Sequence, residues 1–154
     1  MRIYTINFTN VTINAAQDLF LVLPGTNKPV QLVEFGLWAD AAAALAQARV
    51  TLRRFSAVVT NGSGGAAIAT PTKLGASSDG APGFTARTND TVLATSSGTN
   101  EILKPFAFNV LNGLLYAPLP ENRSLFLPGE ACVLRLDTAL TATVCDGYMD
   151  FAEF

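Results

Sequence analysis

Alternation is the feature that most narrows what this chain can fold into. Ile3, Thr5, Asn7 and Thr9 alternate with Tyr4, Ile6 and Phe8, and past Asn10 with Val11 and Ile13. Successive side chains of a strand point to opposite faces, so a period of two marks a strand with one face buried. Gln17 to Leu23 gives a second apolar run, closed by Pro24-Gly25-Thr26-Asn27, whose residues suit a turn. Val30 to Leu37 is a third run, and Arg49 to Val59 a fourth, rich in β-branched and aromatic residues. Further on come Phe106 to Tyr116, Ser124 to Leu127, Ala131 to Leu136 and Thr141 to Phe151, divided by Pro118-Leu119-Pro120, Pro128-Gly129-Glu130 and a tight Asp137–Leu140 link. Many short strands with no βαβ rhythm predict an all-β antiparallel β-sandwich or jelly roll. The 154 residues suit one domain, residues 1–154.

Two stretches depart from the rhythm. Asp40-Ala41-Ala42-Ala43-Ala44-Leu45-Ala46-Gln47 joins the best helix former to a plausible N-cap, which predicts one short helical turn over 40–47. Residues 60–103 hold one aromatic, Phe84, with seven glycines and five charges. The expectation there is a long surface excursion with short β segments near Ala66–Thr70 and Thr91–Thr95.

Composition bounds the chemistry. Hydrophobic residues make up 49% and charged residues only 14%, so Thr, Ser, Asn, Gly and Ala must build much of the surface. A surface meant to be covered by neighbours has this composition, and so does a plain β-sandwich. The net charge of −2 and the lone Arg53–Arg54 pair, split between two faces of a strand, argue against nucleic acid. No apolar run approaches the roughly 20 residues of a membrane-spanning helix. The alternating start is unlike a secretory signal, so synthesis and use without export are expected.

The chain has no histidine, which removes Ser-His-Asp and Cys-His nucleophiles, His metal sites and the commonest general base. A two-carboxylate hydrolase remains conceivable, but the carboxylates sit in turns or on alternating strand positions, where solvation explains them. Gly62-Ser63-Gly64-Gly65 lacks the Lys and the following helix of a phosphate loop. Ser77-Ser78-Asp79-Gly80 and Asn89-Asp90 fall short of a calcium loop. The reading is a protein without catalysis, cofactor or metal.

If Thr138-Ala139 is a two-residue hairpin turn, Cys132 faces Cys145 as a pair of buried or half-buried thiols. Trp38, Phe106, Phe108 and Tyr116 could anchor an interface, with the core as the more ordinary destination. The C-terminal Tyr148-Met149-Asp150-Phe151-Ala152-Glu153-Phe154 reads as an edge strand open to a partner.

A sequence of signals from Asn61 onward carries a resemblance. It runs through Asn61-Gly62-Ser63-Gly64-Gly65, Pro71, Lys73-Leu74, Arg87-Thr88-Asn89-Asp90-Thr91 and Ala94-Thr95. Phe108-Asn109-Val110, Gly113, Pro118-Leu119-Pro120-Glu121-Asn122-Arg123, Pro128-Gly129-Glu130 and Leu134-Arg135-Leu136 complete it. This resembles a recurrent group of small tailed-phage structural proteins over roughly the C-terminal two thirds. It departs at the end, where the usual hydrophobic-Phe-Glu-Glu finish is Met149-Asp150-Phe151-Ala152-Glu153. The resemblance implies a virion protein, foremost a capsid cement or decoration protein with a jelly-roll-like or β-tulip-like body. Such a protein sits as a homotrimer on the capsid surface and bridges major capsid protein subunits. The alternatives are a head fibre, a head–tail completion protein or a tail protein, with carbohydrate binding on an exposed aromatic such as Trp38 or Tyr116. The candidate interface residues are Asn61, Phe84 and Arg87 in the excursion, and Phe151 and Phe154 on the last strand.

Overall fold

The computed structural model describes residues 1–41 and 44–154. In chain order the strands are β1 (Arg2–Ile13), β2 (Gln17–Leu23), β3 (Val30–Ala41), β4 (Gln47–Phe55), β5 (Val59–Thr60), β6 (Ala66–Ile68) and β7 (Thr72–Lys73). They continue as β8 (Thr85–Asp90), β9 (Thr95–Ser96), β10 (Asn100–Asn109), β11 (Leu114–Tyr116), β12 (Leu125–Phe126), β13 (Ala131–Leu136) and β14 (Thr143–Glu153). One sheet has the order β11-β3-β14-β1-β7, with β12 also on β3; the other runs β10-β4-β13-β2-β8-β6. Strands β5 and β9 form a separate ribbon. Every pairing is antiparallel.

One buried cluster draws on both large sheets, which makes the body a sandwich. Phe8 of β1 packs on Phe20 of β2 at 5.2 Å between ring centroids, and Phe35 of β3 meets Phe106 of β10 at 5.4 Å. Strand β14 shows the alternation most clearly: Cys145, Gly147, Met149 and Phe151 are buried, while Val144, Asp146, Tyr148 and Asp150 are partly exposed. A second small cluster lies behind the other sheet, where Ala94 and Val59 of the 60–103 region and its border cover Leu21, Phe55, Ala131 and Val133. This explains why all of β13 is buried.

Four expectations need correction. The helical turn over 40–47 does not form in the described part of that stretch: Asp40 and Ala41 end β3 and Gln47 opens β4. The two alanines at its centre, Ala42 and Ala43, lie outside the described residues. Pairing of β3 with β14 as far as Ala41↔Val144 outweighs the helix preference of alanine. Among the described residues the helical structure is one 3₁₀ turn, Pro120–Asn122.

The 60–103 excursion is woven into the body rather than carried over it. β8 pairs with β2, β6 with β8, and β7 with β1. The short β segment expected over Ala66–Thr70 is there as β6; of the one expected over Thr91–Thr95, Val92 makes an isolated bridge to Ser63 and Thr95 opens β9, and the substantial strand is β8.

Cys132 and Cys145 do not face each other. Cys132 stands opposite Val22 and Arg54 in one sheet, and Cys145 opposite Val11 and Ala39 in the other. The 137–142 link therefore crosses between sheets instead of closing a hairpin. Both thiols are free and buried. Burial pushes the Cys145 thiol up to about 11 and raises that of Cys132 further still. Because the thiolate is the nucleophile, neither cysteine reacts with Ellman's reagent at pH 8 in the folded protein, and both react after unfolding. Fast reaction of one thiol before unfolding contradicts this.

Finally, β14 is no edge. It lies between β1 and β3 and is paired on both sides almost to its end. One true edge is β10, whose exposed Glu101, Lys104 and Pro105 resist the addition of another strand.

Candidate interaction surfaces

Four exposed large apolar side chains, Leu45, Leu111, Leu115 and Trp38, line two depressions around the turn from β10 to β11. Asn109 builds this turn: its Oδ1 accepts the Leu111 N–H at 2.8 Å, and its carbonyl accepts the Gly113 N–H at 2.9 Å. Gly113 adopts φ +69°, which a side chain would strain. The fixed turn leaves Leu111 68% exposed. On one side a depression of about 250 Å³ separates Leu111 from Leu45, which is 76% exposed. On the other side a depression of about 260 Å³ is lined by Gly36, Trp38, Asn112, Leu115 and Tyr148, among others. Leu115 is 67% exposed. No charged residue lines either depression.

Trp38 departs from the core placement expected of it, being 43% exposed, whereas Phe108 is buried and Phe106 and Tyr116 are half-buried against Phe35. It occupies an outward position of β3, and its Nε1–H donates to Asp146 Oδ2 at 3.2 Å. Tyr148 lies beside it at 5.9 Å and donates its hydroxyl to Glu34 Oε1 at 2.8 Å. A Cβ at Gly36 would come within 2.5 Å of Tyr148 Cε1, so the glycine makes room for this ring. Both aromatics are thus held in place before any partner arrives, which lowers the entropy cost of binding.

Asp150, cross-strand from Glu34, has its carboxyl pKa raised chiefly by burial and further by the Glu34 charge, against an opposing Thr5 hydrogen bond. Its Oδ1 is buried without a hydrogen-bond partner. A folded pKa above the unfolded value means stability that is present in acid and lost as pH rises through the folded pKa. Asp150→Asn should therefore gain roughly 1 kcal/mol at pH 7, a Tm increase of about 3 °C, with the gain vanishing near pH 3. Thermal unfolding at the two pH values checks it, and an equal gain at both contradicts the titration.

Asn61, Phe84 and Arg87 line one trough of about 450 Å³, which Ile68, Pro71 and Pro82 help to form. Their roles differ. Asn61 is exposed; Arg87 grips Asp90 with two hydrogen bonds of 2.7 Å; Phe84 is buried, edge-on to Tyr4 at 5.6 Å. Asp90 also accepts the Gly65 N–H at 3.1 Å, so its bond to Arg87 fixes the loop before β6. Phe151 is fully buried 5.9 Å from Phe84, and Phe154 is 55% exposed. Of the five candidates, the rings of Phe84 and Phe151 therefore belong to the core, which leaves Asn61, Arg87 and Phe154 within reach of a partner.

Sequence reading missed Leu45, Leu111 and Leu115. A signal did exist at Leu111: Asn109-Val110-Leu111-Asn112-Gly113 ends in turn residues, which takes its leucine out of any strand.

Among the described residues no helix is long and apolar enough to cross a membrane, and no three or more Cys, Asp or Glu residues converge as metal ligands would. Compared with family models, curated proteins and solved structures, the chain matches none of them.

Proposed function

We propose that this chain is an adhesive structural protein of the virion, a capsid cement or decoration protein that oligomerises and bridges major capsid protein subunits at the shell surface. The reading is non-catalytic. The observation that carries it is the set of exposed apolar side chains Leu45, Leu111, Leu115 and Trp38 around one turn, because clustered exposed apolar surface on a folded domain marks an interaction site. Trp38 and Tyr148 are also the residue types that dominate binding energy at interfaces.

The fold reading within this proposal is a jelly roll. Counting β1, β2, β3, β4, β10, β11, β13 and β14 as strands one to eight, the sheets read 1-8-3-6 and 2-7-4-5. That is the order obtained by rolling up one long hairpin whose arms pair one with eight, two with seven, three with six and four with five. Strands β6, β7 and β8 are additions to the outer ends of that pattern.

Sedimentation tests the proposal. The protein should run as an oligomer, a homotrimer in this reading, and co-sediment with empty shells of its virus at fixed stoichiometry. Leu111→Asp with Leu115→Asp should weaken shell binding more than tenfold, since each charge must be desolvated in the interface. Both positions are exposed, so the thermal unfolding of the variant should stay within about 2 °C. A monomer indifferent to shells, or a variant that binds as tightly as the parent, overturns the reading.

The exposed Trp38 favours a second reading, a head fibre, head–tail completion or tail protein that stacks a sugar ring on this aromatic. Trp38 is the only tryptophan, so its fluorescence reports on itself alone. A saturable shift on adding neutral hexoses supports carbohydrate binding, and an unchanged spectrum removes it.

A further inference from the structure

Strand β1 is long and only partly used. On one side β14 pairs with it from Arg2 to Ile13. On the other, β7 pairs at Tyr4↔Lys73 and Thr5↔Thr72, and the Leu74 N–H donates to the Ile3 carbonyl at 2.9 Å. This pairing stops at Pro71, which has no N–H to continue a ladder. The preceding residues turn away to β6 in the other sheet. Beyond Thr5, no strand among the described residues covers this edge of β1.

The uncovered part faces a trough of about 470 Å³ between the two sheets. Asn7, Thr9 and Thr12 of β1 line one wall, with Thr88 and Asn89 of β8 across from them and no charged residue in the lining. Phe8, Val11, Ala66 and Ile68 add apolar surface to these amides, hydroxyls and the unpaired backbone of a strand. Such a lining offers nothing to an ion or a phosphate, but it does suit another main chain.

We propose that the open edge of β1, Asn7–Ile13, receives an extended, uncharged arm of the shell protein as an added antiparallel strand, taking up the pairing where β7 leaves it. This rests on the cement reading above. About seven residues of arm would be engaged over roughly 23 Å, with main-chain hydrogen bonds supplying affinity and alternate side chains facing the trough. The bulge at Asn10, which has φ +55° and gives its N–H to Asp146 Oδ1, divides the ladder. The arm therefore pairs on either side of the bulge rather than in one uninterrupted run.

Hydrogen exchange on the unmodified protein, free and bound to empty shells, reads this directly. Amides of Asn7–Ile13 that β14 leaves free should exchange at least tenfold more slowly on the shell. Benzoylphenylalanine placed at Thr9, and separately at Thr12, should crosslink to one segment of the shell protein. Shell binding with unchanged exchange and no crosslink overturns the arm and leaves adhesion through Leu45, Leu111, Leu115 and Trp38 standing. A crosslink to a second copy of this chain overturns it as well. Failure to bind shells at all removes the cement reading, and the arm falls with it.

Discussion

Asp18→Ala should cost about 3–5 kcal/mol and lower the Tm by roughly 10 °C, although Asp18 touches no proposed partner. Its carboxylate is fully buried on β2 and holds the Arg135 fork at 2.5 and 3.1 Å. The same two side chains fasten the loop behind the sheet: Asp18 Oδ2 accepts the Ala94 N–H at 2.7 Å, and Arg135 donates to the Ala94 carbonyl at 2.9 Å. Arg135 also stacks over Phe55 at 5.4 Å. Removing the acid strands a guanidinium among apolar neighbours, and that loss exceeds whatever the pair contributes when intact. Asp18→Leu combined with Arg135→Met should therefore recover part of the loss. Recovery stays incomplete because the Ala94 N–H and carbonyl remain without partners. Denaturant titration of the three proteins checks this, and a single variant within 1 kcal/mol of the parent rules it out.

Phe151→Ala and Phe154→Ala should separate sharply despite lying three residues apart. Phe151 is fully buried in the central strand of its sheet, and its removal leaves a ring-sized cavity costing about 3–5 kcal/mol. Phe154 is more than half exposed, so its removal should move stability by no more than about 0.5 kcal/mol. If Phe154→Ala leaves stability intact yet weakens shell binding, that residue belongs to the interface. Similar destabilisation by the two substitutions would contradict their placement.

Strands were legible wherever one face buries large side chains. β1 and β14 announce themselves by alternation, and β2, β3, β4 and β13 by short apolar runs, with turn residues between them. β8 did not, because its buried positions are Ala86, Thr88 and Asp90, which carry no hydropathy signal. Asp90 is buried only because Arg87 and Gly65 satisfy it, a pairing across loops that no local pattern encodes. Sheet membership was also hidden. Asp137 looks like a turn residue, yet it binds Arg53 at 2.6 Å and Thr51 at 2.9 Å, and its N–H goes to the Arg49 carbonyl. These bonds tie the link to β4 and send the following strand to the opposite sheet. The exposure of Trp38 follows from its outward parity on β3 and its bond to Asp146, a partner that strand pairing brings from 108 residues away.

The place of β14 between β1 and β3 has a consequence for synthesis. Ile13, the end of β1, precedes Thr143, the start of β14, by 130 residues. At roughly 5–20 residues per second, a ribosome takes on the order of ten seconds to cover that distance. Until then two long strands of one sheet wait for the strand that joins them, their facing edges unpaired. The nascent chain is thus most vulnerable to aggregation between the emergence of β1 and that of β14, and a chaperone that shelters it through that interval should raise the yield of folded protein.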